Sequence, residues 1–205
     1  FEVNSLGLEA ELEVGYASGD KNAHDDTSHA FYFDPDYNVG LVFFDEMLPR
    51  ISARAAAISS DPANVAVPAK GLDLIPTRER VTNVLYYFPQ LRWTWHPATH
   101  VVEDVKVLLG VLLMTTPAEF AHSYYTFRNG GSAANHLGRT VDSNFLGTEL
   151  LAGLRTDFEL WPDHLGLSLH VDQSYFLPGM ALADPEGNLP DGVWKILTAA
   201  ELHWR

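Results

Sequence analysis

The 205-residue chain contains no cysteine, so a disulfide framework and a thiolate metal site are both excluded. Cations are scarce as well: 13 lysines and arginines stand against 27 aspartates and glutamates, for a formal net charge of −14. That balance argues against a nucleic-acid partner. The hydrophobic fraction of 46% is too high for a disordered acidic chain. The length fits one domain, or part of one, covering residues 1–205.

Three further features are missing from the sequence. No apolar run approaches the roughly 20 residues that a membrane-spanning helix needs. No charged segment followed by an apolar core marks a signal peptide after Phe1. No GxSxG, HExxH, P-loop or dinucleotide-binding glycine pattern occurs. We therefore predict that the protein is not an enzyme, has no catalytic residues and holds no cofactor.

The sequence does contain a repeated two-residue alternation. In ELLAGLRTDFEL, residues 149–160, the odd positions hold nearly all of the charge and the even positions hold almost none. A period of two over roughly ten residues predicts a β-strand with two unlike faces. The pattern occurs in six segments, at residues 5–16, 83–95, 101–113, 149–160, 165–177 and 193–205.

The connections between these segments differ in length. Tight turns around Pro97 and Pro162 close one end, whereas long loops at residues 20–80, 115–143 and 179–192 lie at the other. This asymmetry is typical of outer-membrane barrels. We therefore predict an all-β fold, an antiparallel up-and-down transmembrane β-barrel with long loops at one end and short turns at the other.

The placement of aromatic residues indicates which face meets lipid. Trp194 and Trp204 share a face and lie about 33 Å apart along a strand. A strand tilt of about 40° reduces this to about 25 Å, the height of the apolar band between the aromatic girdles of such barrels. We predict that the apolar face meets lipid and that its girdles comprise Tyr16, Tyr87, Trp93, Trp95, Phe158, Tyr175, Trp194 and Trp204.

The opposite face is predicted to line a water-filled, acidic lumen. Its charges either select permeants or only solvate the wall and fix its register. Arg92 is expected opposite Asp104, and Arg155 opposite His170 with Asp172 on the diagonal. The predicted lumen-lining residues are Glu9, Glu11, Glu13, Arg92, Asp104, Lys106, Glu149, Arg155, Asp157, His170, Asp172, Lys195, Glu201 and His203.

Two pairs on this face resemble acid–base pairs, namely His170 with Asp172 and His203 with Glu201. Histidine alternating with carboxylates is also an ordinary feature of a wet wall. The second interpretation is the one that agrees with the absence of catalytic motifs.

Six strands are fewer than the eight of the smallest usual barrels, and six cannot close around charged side chains. The remaining strands come from a preceding N-terminal portion, from the long first loop, or from several chains that share one barrel. We favour the first alternative, in which this chain is the C-terminal portion of a larger barrel.

The long loop at 20–80 contains two notable stretches. Asp25, Asp26, Asp34 and Asp36 carry hard oxygen ligands suited to Ca²⁺, but their spacing is not that of the twelve-residue calcium loop, so a solvated loop is favoured and no metal is predicted. Residues 45–58 predict a short helix, with Asp45 as its cap and Pro49 in its first turn. Such a helix either folds into the lumen or stays outside it.

The segments GYASGDKN (15–22) and FDPDYNVGLVFFDE (33–46) resemble alginate-export-type outer-membrane barrels. Residues 71–93 and 135–155 are similar to a barrel family of unassigned function from myxobacterial-type Gram-negative bacteria. The resemblance implies a larger single-chain barrel of many strands in the bacterial outer membrane.

Two features depart from those families. Alginate-export proteins line their pore with arginines, whereas the inward set here is richer in Glu and Asp, so an anionic polysaccharide is not the expected substrate. The last residue is Arg205 rather than the terminal aromatic that such barrels use as an assembly signal, and Trp204 lies one position short of that place.

Three hypotheses of function follow. The leading one is an outer-membrane channel for passive passage of small solutes or ions through a polar, acidic lumen. The alternative is a non-conducting structural barrel that acts as a scaffold for outer-membrane or periplasmic partner proteins. The third is a soluble ligand-binding barrel with an apolar interior.

Overall fold

The computed structural model describes residues 2–3, 7–20, 27, 29–34, 37, 39–64, 81–99, 101–162 and 164–204. These residues form one antiparallel sheet in which each strand pairs with the next along the chain. The strands are β1 Glu2–Val3, β2 Leu8–Ala17, β3 Val84–Trp95, β4 Val102–Thr115, β5 Phe145–Trp161, β6 Leu165–Pro178 and β7 Val193–Trp204.

The predicted up-and-down, all-β arrangement with six long strands is confirmed. The sheet is open within the described residues, with β1 at one edge and β7 at the other. The short turns are also confirmed, because residues 96–101 and 162–164 are all that separates β3 from β4 and β5 from β6.

One predicted cross-strand pair is correct and one is wrong. Arg155 lies opposite His170, with Asp172 on the diagonal beside Gly153. Arg92, however, lies opposite Leu108 rather than Asp104. The physical reason is that Trp95 lies opposite Val105, so the pairing of β3 with β4 is centred on residue 100. The predicted pair requires a centre at residue 98, and this difference of two residues shifts every partner on β4 by four residues.

The long loop between β2 and β3 contains the predicted helix. A π-helical turn, Phe43–Met47, leads directly into α1, Leu48–Ser60, which has Pro49 in its first turn and the alanine-rich segment in its middle. Met47 occupies the cap position and makes no side-chain cap bond, so Asp45 is not the cap. A shorter helix, α2 Ser123–Arg128, packs against α1.

Apart from these, a single 3-10 turn at Met180–Leu182 follows β6. None of the helices among the described residues is long and apolar enough to cross a membrane.

The main hydrophobic core lies between the sheet and residues 39–48, which we call the strap. Val42, Phe43 and Phe44 of the strap pack against the sheet at its long-loop end. Their partners on the sheet include Tyr86 of β3 and Phe176 of β6, both fully buried. The strap therefore covers one end of one face of the sheet.

Candidate functional site

The strand registers place the predicted lumen-lining residues on the same face of the sheet. For example, Glu9 lies opposite Arg92, Lys106 opposite Arg155, and Ser174 opposite Lys195. We call this the polar face; it carries Glu9, Glu11, Glu13, Arg92, Asp104, Lys106, Glu149, Arg155, Asp157, His170, Asp172, Lys195, Glu201 and His203.

The opposite face, which we call the apolar face, carries all eight predicted girdle aromatics. Tyr175 and Trp194 lie side by side at the long-loop end, with ring centroids 5.2 Å apart. Tyr16 and Tyr87 lie at the same end, whereas Trp93, Trp95, Phe158 and Trp204 lie at the short-turn end.

No described segment covers the apolar face in the middle of the sheet. Leu109, Leu154 and Val171 belong to interior strands, yet 51%, 47% and 44% of their surface is exposed. Residues at these positions are buried in an ordinary two-layer protein, since a sheet is stable only when its apolar face packs against something.

At the long-loop end of the polar face, Glu149 binds the strap. Its carboxylate accepts hydrogen bonds from the backbone N–H groups of Leu41 (2.6 Å), Val42 (2.9 Å) and Phe43 (3.0 Å), and from the hydroxyl of Ser174 (2.6 Å). The three amides are the unpaired donors that begin the π-helical turn, and such successive N–H groups form an anion-binding nest. Glu149 is fully buried, so its carboxylate meets the strap instead of solvent.

Gly40 is required where the strap approaches this carboxylate. Its φ is +71°, in the left-handed region that favours glycine. A Cβ at this position would lie 2.9 Å from both Glu149 Oε1 and Leu112 Cδ2. Glycine therefore serves both the turn and the close approach.

Two further contacts tie this loop to β7, at one edge of the sheet, and to β2, the outermost long strand on the other side. On β7, the Lys195 ammonium donates to Asp45 and to Glu46 (2.9 Å). On β2, Glu13 accepts hydrogen bonds from the hydroxyls of Tyr37 and Tyr86. The loop thus contacts both sides of the polar face.

At the short-turn end, the polar face carries a network of ion pairs. Lys106 and Arg155 lie directly opposite one another, and Asp157 compensates both charges, at 2.9 Å from Lys106 Nζ and 3.0 Å from Arg155 Nε. Arg92 pairs instead with Glu11 at 2.8 Å and Glu9 at 3.7 Å. Asp104 binds Lys106 (3.3 Å) and His96.

Ser168 joins this network but does not form a catalytic triad. Its hydroxyl donates to Asp157 and lies 3.0 Å from His203 Nε2. Glu201 approaches the same ring nitrogen, at 3.7 Å. A triad needs the acid on the other ring nitrogen, so that the imidazole is held in position to take a proton from serine.

Three of the four aspartates considered as calcium ligands lie outside the described residues. Asp25, Asp26 and Asp36 are in that group, and Asp34 is exposed in the loop. Within the described ranges, no group of three or more side chains is placed to hold a metal ion.

Two histidines of the loop between β4 and β5 lie within reach of each other's charge and of Arg54 on α1. The Nδ1 atoms of His122 and His136 are both buried and, among the described residues, have no hydrogen-bond partner. Burial, together with the charges of His122 and Arg54, lowers the pKa of His136 to about 4. Burial and Arg54 also lower the pKa of His122. Protonation of either ring is therefore disfavoured in the folded chain.

Acid is expected to loosen the packing around these histidines. Because the pKa of His136 is lower in the folded than in the unfolded chain (about 6.5), stability is full above pH 6.5 and falls as the pH approaches 4, by about 2–3 kcal/mol. Denaturant unfolding between pH 7 and pH 4 measures the loss, and His136→Gln should flatten the curve. An NMR titration of His136 with an ordinary midpoint near 6.5 would contradict this expectation.

Several residues that shape the site are not apparent from charge patterns. Tyr86, Leu112 and Phe176 lie on the polar face and pack on the strap. A signal for them exists in the run VLLGVLLM, residues 107–114, which is apolar at both odd and even positions. Such a run indicates a strand covered on both faces.

Comparisons of the chain with protein-family models, with curated proteins and with solved structures find no match.

Proposed function

We propose that this sheet forms part of the wall of an outer-membrane β-barrel, and that the barrel is a channel for passive passage of small solutes or ions. The observation that carries the proposal is the exposed apolar face. Six neighbouring strands present leucine, valine and tryptophan on a surface that no described segment covers, whereas the charges gather on the other face. Lipid is the solvent that stabilises such a surface, and the aromatic residues at its two ends match the girdles of outer-membrane barrels.

The open edge of β7 supports closure by further strands. In hydrocarbon, each unpaired backbone N–H and C=O costs several kcal/mol, so a lipid-exposed sheet has to close on itself. In this proposal, strands beyond those described pair with β7 and with the opposite edge.

The charge of the polar face indicates the preferred permeant. Eight carboxylates stand against four cationic side chains in the predicted lumen-lining set. A lining with an excess of negative charge attracts cations and repels anions. We therefore propose that the channel prefers cations and neutral solutes.

The strap favours a second candidate function. It fills the long-loop end of the polar face, so a barrel with this strap in place has a constricted lumen. A constricted barrel is suited to act as a structural scaffold whose loops or turns bind outer-membrane or periplasmic proteins. Stoichiometric co-purification of such partners, without conductance, would support the scaffold.

Membrane association and conductance test the proposal. The whole protein is expected to remain with outer membranes until detergent is added, and to conduct ions in planar bilayers with a reversal potential that favours cations. Release without detergent would contradict the membrane location. The absence of ion conductance in planar bilayers at every applied voltage, even with the strap removed, would contradict the channel.

A further inference from the structure

Asp172 lies in the middle of β6 and lines a groove on the polar face. The groove has a volume of about 440 Å³ and is formed by residues of five neighbouring strands, β2 to β6. Its volume is in the range of small-molecule sites. The charged and titratable residues at its surface are Glu9, Arg92, Lys106, Arg155, His170 and Asp172.

The cations of this groove are already neutralised. Arg92 binds two carboxylates of β2, and Lys106 binds Asp104 and Asp157. Arg155 directs its guanidinium toward Asp157 and Ser168, away from Asp172. Among the described residues that line the groove, no cation is therefore left for a further carboxylate.

Asp172 is that further carboxylate. Throughout the described part of the chain, neither Asp172 nor His170 makes an ion pair or a side-chain hydrogen bond. Both side chains line the groove from the same strand and the same face. A carboxylate and an imidazole, two residues apart, thus offer unused hydrogen-bonding capacity to a molecule in the groove.

Gly153 provides the space that the Asp172 carboxylate occupies in the groove. Gly153 lies opposite Asp172 on β5, and a Cβ on Gly153 would lie 2.5 Å from Asp172 Oδ1. The backbone of Gly153 has no positive φ that would itself require glycine. The missing side chain of Gly153 therefore leaves room for the carboxylate in its present position, and Leu108 on its other side adds apolar surface.

We propose that Asp172 and His170 bind the ammonium group of a small organic cation in this groove. The ammonium N–H groups donate to the carboxylate and to the imidazole, while the alkyl part of the cation lies against Leu108 and Gly153. The charge-assisted hydrogen bond to Asp172 supplies most of the recognition. This names the class of preferred permeant and rests on the proposed function.

Binding of n-butylammonium to the whole protein in detergent micelles tests the site by calorimetry. Asp172→Asn is expected to raise the dissociation constant about tenfold, the effect of losing one charge-assisted hydrogen bond. The matched control, Asp191→Asn, removes the same charge from an exposed loop and should leave it unchanged. Tetramethylammonium, which has no N–H group, should bind more weakly than n-butylammonium.

Three results would overturn the site: no binding to the unmodified protein, equal binding to Asp172→Asn, or an equal loss of binding in Asp191→Asn, which indicates a diffuse charge effect.

Measurements of conductance separate this proposed binding site from the proposed channel. If the protein binds n-butylammonium through Asp172 but does not conduct ions, the binding site is supported and the channel is contradicted. If it conducts ions and n-butylammonium blocks the conductance equally with or without Asp172, the channel is supported and the binding site is contradicted.

Discussion

Replacing Glu149 with glutamine is expected to release the strap from the polar face. The carboxylate accepts four hydrogen bonds in a fully buried position, from Leu41, Val42, Phe43 and Ser174. An amide has one acceptor oxygen and places its own N–H groups against the remaining donors. Because orphaned buried donors are costly, we expect a loss of about 3–5 kcal/mol in the stability of the docked strap.

Amide hydrogen exchange at residues 41–43 measures this loss directly. The control is Glu11→Gln, which removes a partly exposed carboxylate paired with Arg92 on the same face and should cost less than about 1 kcal/mol. In planar bilayers, Glu149→Gln should raise the conductance of the proposed channel several-fold, whereas Glu11→Gln should not. Unchanged exchange at 41–43 would show that Glu149 does not hold the strap.

Placing arginine at Val171 is expected to destabilise the protein in lipid by about 2–4 kcal/mol, the cost of a lipid-facing arginine near the midplane of a barrel. Val171 lies on the apolar face opposite Leu154 and Thr198. Thr198 lies between Trp194 and Trp204, so these residues are near the middle of the proposed apolar band.

The matched control puts arginine on the other face of the neighbouring strand. Leu197 lies directly opposite Asp172, so Leu197→Arg gains an ion-pair partner and should change the stability by less than about 1 kcal/mol. Unfolding by denaturant in lipid vesicles measures both variants. Equal stability of Val171→Arg and the unmodified protein would mean that water, not lipid, meets the apolar face.

The sequence predicts the sheet well because a strand exposes its two faces in alternation. Each segment with period two became a strand, and the separation of Glu9, Arg155 and His170 from Trp93 and Trp204 follows from that period alone. The register across the second short turn was also predictable, since a three-residue connection leaves little freedom. The six-residue connection at 96–101 does not fix its register in the same way, and the prediction for Arg92 failed there.

The role of Glu149 could not be predicted, because no local pattern separates it from the other carboxylates of the polar face. Its partners lie in a loop more than a hundred residues earlier in the chain. The hydrogen bonds depend on backbone N–H groups, which every residue except proline carries. Only the apolar run at 107–114 on a neighbouring strand indicates that something covers this end of the face.

The long sequence distance between the strap and its partners has a consequence for the order of folding. Leu41 and Glu149 are 108 positions apart, and Asp45 and Lys195 are 150 apart, whereas the strands pair with their immediate successors. Contacts between distant positions form slowly, because a long stretch of chain must first be closed into a loop. We expect the hairpins to assemble first and the strap to dock last, so that the newly formed protein passes through a stage in which its strands are paired and the long-loop end of the polar face is still uncovered.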